Sequence, residues 1–205
     1  MSEKRAKKVQ KRKAKKRKKL KVLNRTSRPR ECGECAECCI HFPVKGLPGH
    51  GEVKPAGTPC MHLTYNTTAR CGIYKDPEKP HVCDYYKCLW LYDGASPKRH
   101  FFADDRPDIL GVIFDLVGGD HPATKALKKP VLVARPTFPE SLDTDHARSV
   151  YDRFLEKGYV IVLFRGEKNF EFLSFDARDA EIVRRVYEEL PDFKVDKTVD
   201  STESL

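Results

Sequence analysis

The chain has 205 residues, 40% of them hydrophobic and 34% charged, with eight cysteines and a net charge of +9. This composition suits one medium domain or two small ones and excludes fibrous and collagenous chains. The longest purely apolar run, Val160 to Phe164, covers five residues, far short of the roughly 20 that span a bilayer as a helix.

The charge divides sharply along the chain. Residues 1–30 carry 16 Lys and Arg against the single acid Glu3, whereas residues 31–205 carry 23 bases and 29 acids. Residues 2–21 contain no aromatic side chain, and like charges at Lys7/Lys11 and Arg12/Lys16 oppose a free helix. Residues 1–30 are therefore expected to be a disordered basic tail. Its functional reading is a polyanion contact (RNA, DNA, a ribosome or an anionic lipid surface) through residues 2–30, against a merely solubilising extension. Only Val22-Leu23 follows the basic start where an export signal needs a longer apolar stretch, so a cytoplasmic location without a membrane span is expected.

All eight cysteines fall between Cys32 and Cys88. They run Cys32-x2-Cys35-x2-Cys38-Cys39, followed at longer intervals by Cys60, Cys71, Cys83 and Cys88. A disulfide framework and a thiolate metal site both fit such a count, and a reducing cytosol favours the metal. Three cysteines at successive x2 spacing can turn their sulfurs toward one point. Adjacent Cys38 and Cys39 point apart in extended backbone, so one of them is expected to serve a second centre or a polynuclear one. Segment 31–92 shows no sustained helical or alternating period and is rich in Gly and Pro turns. Metal is expected to help order it. The proposed ligands are Cys32, Cys35, Cys38, Cys39, Cys60, Cys71, Cys83 and Cys88.

Four stretches resemble the YkgJ-like cysteine-cluster family of zinc- or iron-chelating domains, known by its CxxCxxCC motif. They are Cys32-Gly33-Glu34-Cys35-Ala36-Glu37-Cys38-Cys39, Pro59-Cys60-Met61-His62-Leu63, Cys71-Gly72-Ile73-Tyr74, and Pro80-His81-Val82-Cys83 through Cys88. Lys79 stands where that family often has Arg, and Arg106-Pro107-Asp108 is similar to its continuation. The resemblance implies a zinc or iron centre. A similar cluster, associated with an iron–sulfur centre, occurs in an enzyme that methylates flagellin lysines, which supplies an enzymatic alternative.

Soft thiolates select zinc, copper(I) or iron–sulfur clusters over magnesium and calcium. The run is not of ferredoxin type, because its fourth cysteine is immediate. Iron or an iron–sulfur cluster is expected in at least one centre, with zinc as the alternative. His41 and His62 each lie two residues after a cysteine and could complete a Cys3His site, but with eight cysteines available they are read as ordinary imidazoles. His50 and His81 have weaker claims. Tyr85, Tyr86 and Trp90 are expected to shield the cluster from water.

Beyond a polar stretch the pattern becomes regular. Residues 111–117 and 131–134 read as strands, and 159–165 with 169–175 as a hairpin. Ala147, Val150, Tyr151 and Phe154 define one amphipathic helix ending at Gly158. Val183, Val186, Tyr187 and Leu190 define another between an Asp176 cap and Pro191. The fold class expected is α+β: a small metal-stapled module over 31–92, then a body over 100–191 with an antiparallel sheet and two helices on one face, and a flexible end over 192–205. No GxGxxG, Walker A, GxSxG or HExxH motif, nor the CxxxCxxC of radical enzymes, occurs, so no catalytic residue and no cofactor beyond the metal is assigned. Asp104, Asp105, Asp108, Asp120 and His121 are a weak carboxylate–imidazole candidate, read as solvated loop residues. Three functions compete: a metal-binding protein, a redox or methyl-transfer enzyme supported by an iron–sulfur centre, and a nucleic-acid or ribosome adaptor with structural zinc.

Overall fold

The computed structural model describes residues 30–45, 53–64, 70–73, 76–77, 79–94, 100–166 and 169–190. The basic stretch before Arg30, His50 and the polar end beyond Leu190 lie outside the described residues. Among the described residues no helix is long and apolar enough to cross a membrane.

The aperiodic cysteine segment forms only short elements. Helix α1 spans Glu37–His41. Strands β1 (Val44–Lys45) and β2 (Val53–Lys54) pair antiparallel, as do β3 (Leu63–Thr64) and β4 (Arg70–Cys71). Helices α2 (His81–Tyr85) and α3 (Leu89–Asp93) follow. Two-residue ladders and helices of a single turn cannot cohere alone, so this segment depends on what it packs against.

The body is built from α4 (Pro107–Leu110), β5 (Val112–Leu116), α5 (Pro122–Leu127), β6 (Val131–Pro136), α6 (Asp145–Leu155), β7 (Val160–Gly166), β8 (Asn169–Leu173) and α7 (Ala177–Glu189). Both helices read from the sequence are present and capped. Thr144 Oγ1 accepts from the Ala147 N–H at 3.1 Å, and Asp176 Oδ1 accepts from the Arg178 N–H at 2.9 Å. The α+β class stands, but the sheet, ordered β5-β6-β7-β8, is mixed rather than wholly antiparallel. β5/β6 and β7/β8 are antiparallel, while β6/β7 is parallel with Val131 opposite Val160. Helix α6 carries the chain back to the starting edge between β6 and β7, and such a crossover lets consecutive strands run the same way.

The two helices do not share a face, contrary to the expectation from the sequence. Leu132, Ala134, Ile161 and Leu163 join Val150, Tyr151 and Phe154 of α6 in one core, whereas Val131, Val133, Val160 and Val162 join Val183 and Tyr187 of α7 in the other. Alternate strand residues thus feed opposite faces, and β6 and β7 are covered on both.

The first core anchors the cysteine segment. Cys88 and Trp90 belong to it, and Cys38, Phe42 and Tyr86 pack against it. Trp90 Nε1 donates to the Phe102 carbonyl at 2.9 Å. Arg30, read above as the last residue of the tail, is instead fixed: its guanidinium donates to the carbonyls of Trp90 and Phe101, both at 2.6 Å, and stands 3.5 Å from the buried Asp93 carboxylate.

Candidate metal centre

All eight cysteines line one cavity of about 780 Å³. Their positions follow from local backbone. The Cys35 N–H closes a turn on the Cys32 carbonyl at 2.9 Å, and α1 then carries Cys38 and Cys39. The Cys60 N–H donates to the Cys39 carbonyl at 3.1 Å, bringing the second stretch alongside the first. Cys71 enters on β4, Cys83 on α2, and Cys88 precedes α3. None of the eight is in a disulfide; Cys83 is exposed, Cys88 buried, and the others lie between. The sulfurs share a cavity rather than a closed tetrahedron, for among the described residues no three His, Cys, Asp or Glu side chains already stand as a ligand set.

Adjacent Cys38 and Cys39 have different company. Cys38 hydrogen-bonds Cys88, which together with burial and the charges of Cys88, Cys35 and Cys32 pushes its thiol far up. Burial, and then Cys71, Cys60, Cys32 and Cys83, push Cys39 up to about 12. In the Cys38–Cys88 pair, Cys88 is the sulfur held down, by the bond from Cys38 and by the Leu91 and Trp90 amides at the head of α3. Cys35, pushed to about 12 by burial, has Cys88 among its charged neighbours. Cys32 lies between the two sets: burial raises it first, followed by Cys88 and Cys71, while Lys79 pulls it down. Buried thiols that raise one another in this way gain most from a cation, because metal binding replaces the protons. The donor set therefore fits a soft metal.

Several cavity residues are not evident from the sequence. Arg135 of β6 lines it, with its guanidinium 4.1 Å from the Phe164 ring centroid and 5.6 Å from that of Phe42. Its Nε is buried without a hydrogen-bond partner, 3.9 Å from Asp115 Oδ2. Lys79 also lines the cavity, where its charge acts on Cys32. Of the three residues expected to shield the cluster, Tyr86 and Trp90 form part of the wall, and the side chain of Tyr85 lies outside what is described.

The histidines separate. His41 lines the cavity and faces Glu37 at 3.2 Å. His62 is absent from the cavity wall, yet its Nε2 is buried and unpartnered; His81 is exposed. The carboxylate–imidazole candidates do not assemble into one site. Buried Asp105 accepts from Arg153 at 2.6 Å and pairs with His146 at 2.9 Å. Asp108 holds Arg106, Asp120 holds Lys125, and His121 caps α5 by accepting from the Ala123 N–H.

A UPF0153 protein of Pseudomonas aeruginosa is 37% identical over 67 residues, 33% of this chain and 67% of that relative. The chain belongs to the UPF0153 family. UPF0153 is the YkgJ-like cysteine-cluster family, so the relationship agrees with the resemblance carried by the cysteines. No family model matches the chain, and no solved structure matches it. Membership covers one third of this UPF0153 chain; the mixed sheet and its helices are described on their own geometry. Family and cysteines together are compatible with metal binding.

Proposed function

We propose that this UPF0153 chain is a metal-binding protein with two thiolate centres, one built on Cys39, Cys60, Cys71 and Cys83 and the other on Cys32, Cys35, Cys38 and Cys88. The supporting observation is that neighbouring Cys38 and Cys39 share one cavity in which Cys38 hydrogen-bonds Cys88 and has Cys35 beside it, while Cys39 faces Cys71, Cys60 and Cys83, with Cys32 common to both. Eight soft donors match two four-coordinate sites. Iron or an iron–sulfur cluster is assigned to at least one centre, with zinc as the alternative. Anaerobic purification with elemental analysis and an absorption spectrum tests this reading: stoichiometric iron with acid-labile sulfide, or stoichiometric zinc, supports it. Folded, metal-free protein with four disulfides overturns it.

A redox or methyl-transfer activity is a second reading, favoured by the size of the cavity. Its roughly 780 Å³ lies within the range of small-molecule pockets, and apolar walls at Phe42, Val44 and Ile73 would exclude water. A substrate-dependent change in the metal spectrum would support this reading, and a spectrum indifferent to every added substrate would count against it. A polyanion contact through residues 2–30 is supported by the 15 bases that precede Arg30, which is itself engaged in the fold, and its affinity would fall steeply with salt.

A further inference from the structure

Lys54 is an unusual lysine. Its side chain is 0% exposed, and Nζ donates to the carbonyls of Ile40 at 3.2 Å, Pro55 at 3.0 Å and Thr58 at 2.6 Å. An ammonium has three protons, so these carbonyls use all of them. Ile40 directly follows Cys39, and Thr58 lies two residues before Cys60. Lys54 thereby ties together the two backbone stretches that the Cys60-to-Cys39 hydrogen bond also joins.

Carbonyl dipoles satisfy the protons but do not cancel the charge. Among the described residues Lys54 makes no ion pair with a carboxylate; burial pushes its ammonium down, and the charged neighbours that push it back up are Cys60 and Cys39. A buried cation without a counter-charge is costly. Four thiolates around a divalent metal carry a net negative charge, so each would offset the other.

We propose that Lys54 is a positioning residue of the centre built on Cys39 and Cys60, holding their backbone together and supplying the fixed positive charge that its anionic sulfurs require. The proposal rests on the two-centre reading above. It predicts opposite signs for the loaded and metal-free protein. With metal bound, the charge stabilises the centre; without metal, it is a buried cation lacking its partner.

The test uses the full chain under reducing conditions, with zinc affinity measured by competition against a chromophoric chelator and metal-free melting followed separately. Lys54→Gln keeps N–H donors and removes the charge; Lys54→Met removes both. Both variants should lose about 10- to 100-fold in affinity for the zinc population that Cys39→Ser also loses, and should keep the other population. The metal-free Lys54→Gln protein should melt at or above the wild-type temperature. Wild-type affinity in Lys54→Gln, or a lower metal-free melting temperature accompanying its loss, overturns the charge role and leaves the two-centre reading standing. A wild-type chain that takes up no zinc overturns both.

Discussion

The Tyr86 hydroxyl donates to Asp115 Oδ1 at 2.6 Å, tying the cysteine segment to strand β5. Burial raises Asp115, while the Tyr86 hydroxyl and Arg135 hold it partly down. Tyr86→Phe removes the only one of these partners at hydrogen-bonding distance from Asp115 among the described residues. A bond to a charged acceptor contributes about 1.5–3 kcal/mol, and a loss of that order is expected in urea denaturation. Unchanged stability would show that water replaces the hydroxyl.

Arg30, the last base of the N-terminal basic stretch, is anchored in the fold. Its side chain is 9% exposed, and the Asp93 it faces is 3% exposed. Arg30→Ala takes the donor from two carbonyls and the guanidinium from beside Asp93, whose carboxylate keeps the His100 and Phe101 amides, and is expected to cost about 1–3 kcal/mol. Deleting residues 2–29 should leave the melting temperature unchanged, whereas deleting 2–30 should lower it. Equal melting of the two truncations would contradict the anchoring role.

His121 predicts a pH dependence on the other side of the sheet. Burial lowers it from its ordinary 6.5, and its Nδ1 accepts the Ala123 N–H at 3.2 Å, which requires the neutral ring. A histidine depressed by folding binds fewer protons in the native state. Its contribution is therefore complete above about pH 6.5 and lost as pH falls through the lowered native value. His121→Asn keeps a good N-cap and should flatten the stability profile below neutrality. A profile identical to wild type would remove His121 as its source.

The cysteine spacing and the two long helices were readable because each is a local pattern. The two-sided sheet had a signal too: Val131 to Ala134 and Val160 to Phe164 are continuous apolar runs rather than alternating ones, and such runs mark strands covered on both faces. The parallel β6/β7 pairing followed from α6 acting as a crossover, which the helix pattern alone does not reveal. Lys54 and Arg135 were unreadable for another reason. A lysine on a two-residue strand and an arginine ending a strand resemble any surface cations until distant segments enclose them. Cys38 and Cys39 were expected to point apart on extended backbone, whereas both lie on helix α1, and their companions depend on contacts between stretches far apart in sequence.

The division of the cavity is tested most directly by native mass spectrometry of anaerobically loaded protein carrying Cys38→Ser or Cys39→Ser. The account predicts two metal populations in the wild-type chain, with each variant losing a different one and retaining the other. Loss of the same single population from both variants would contradict it.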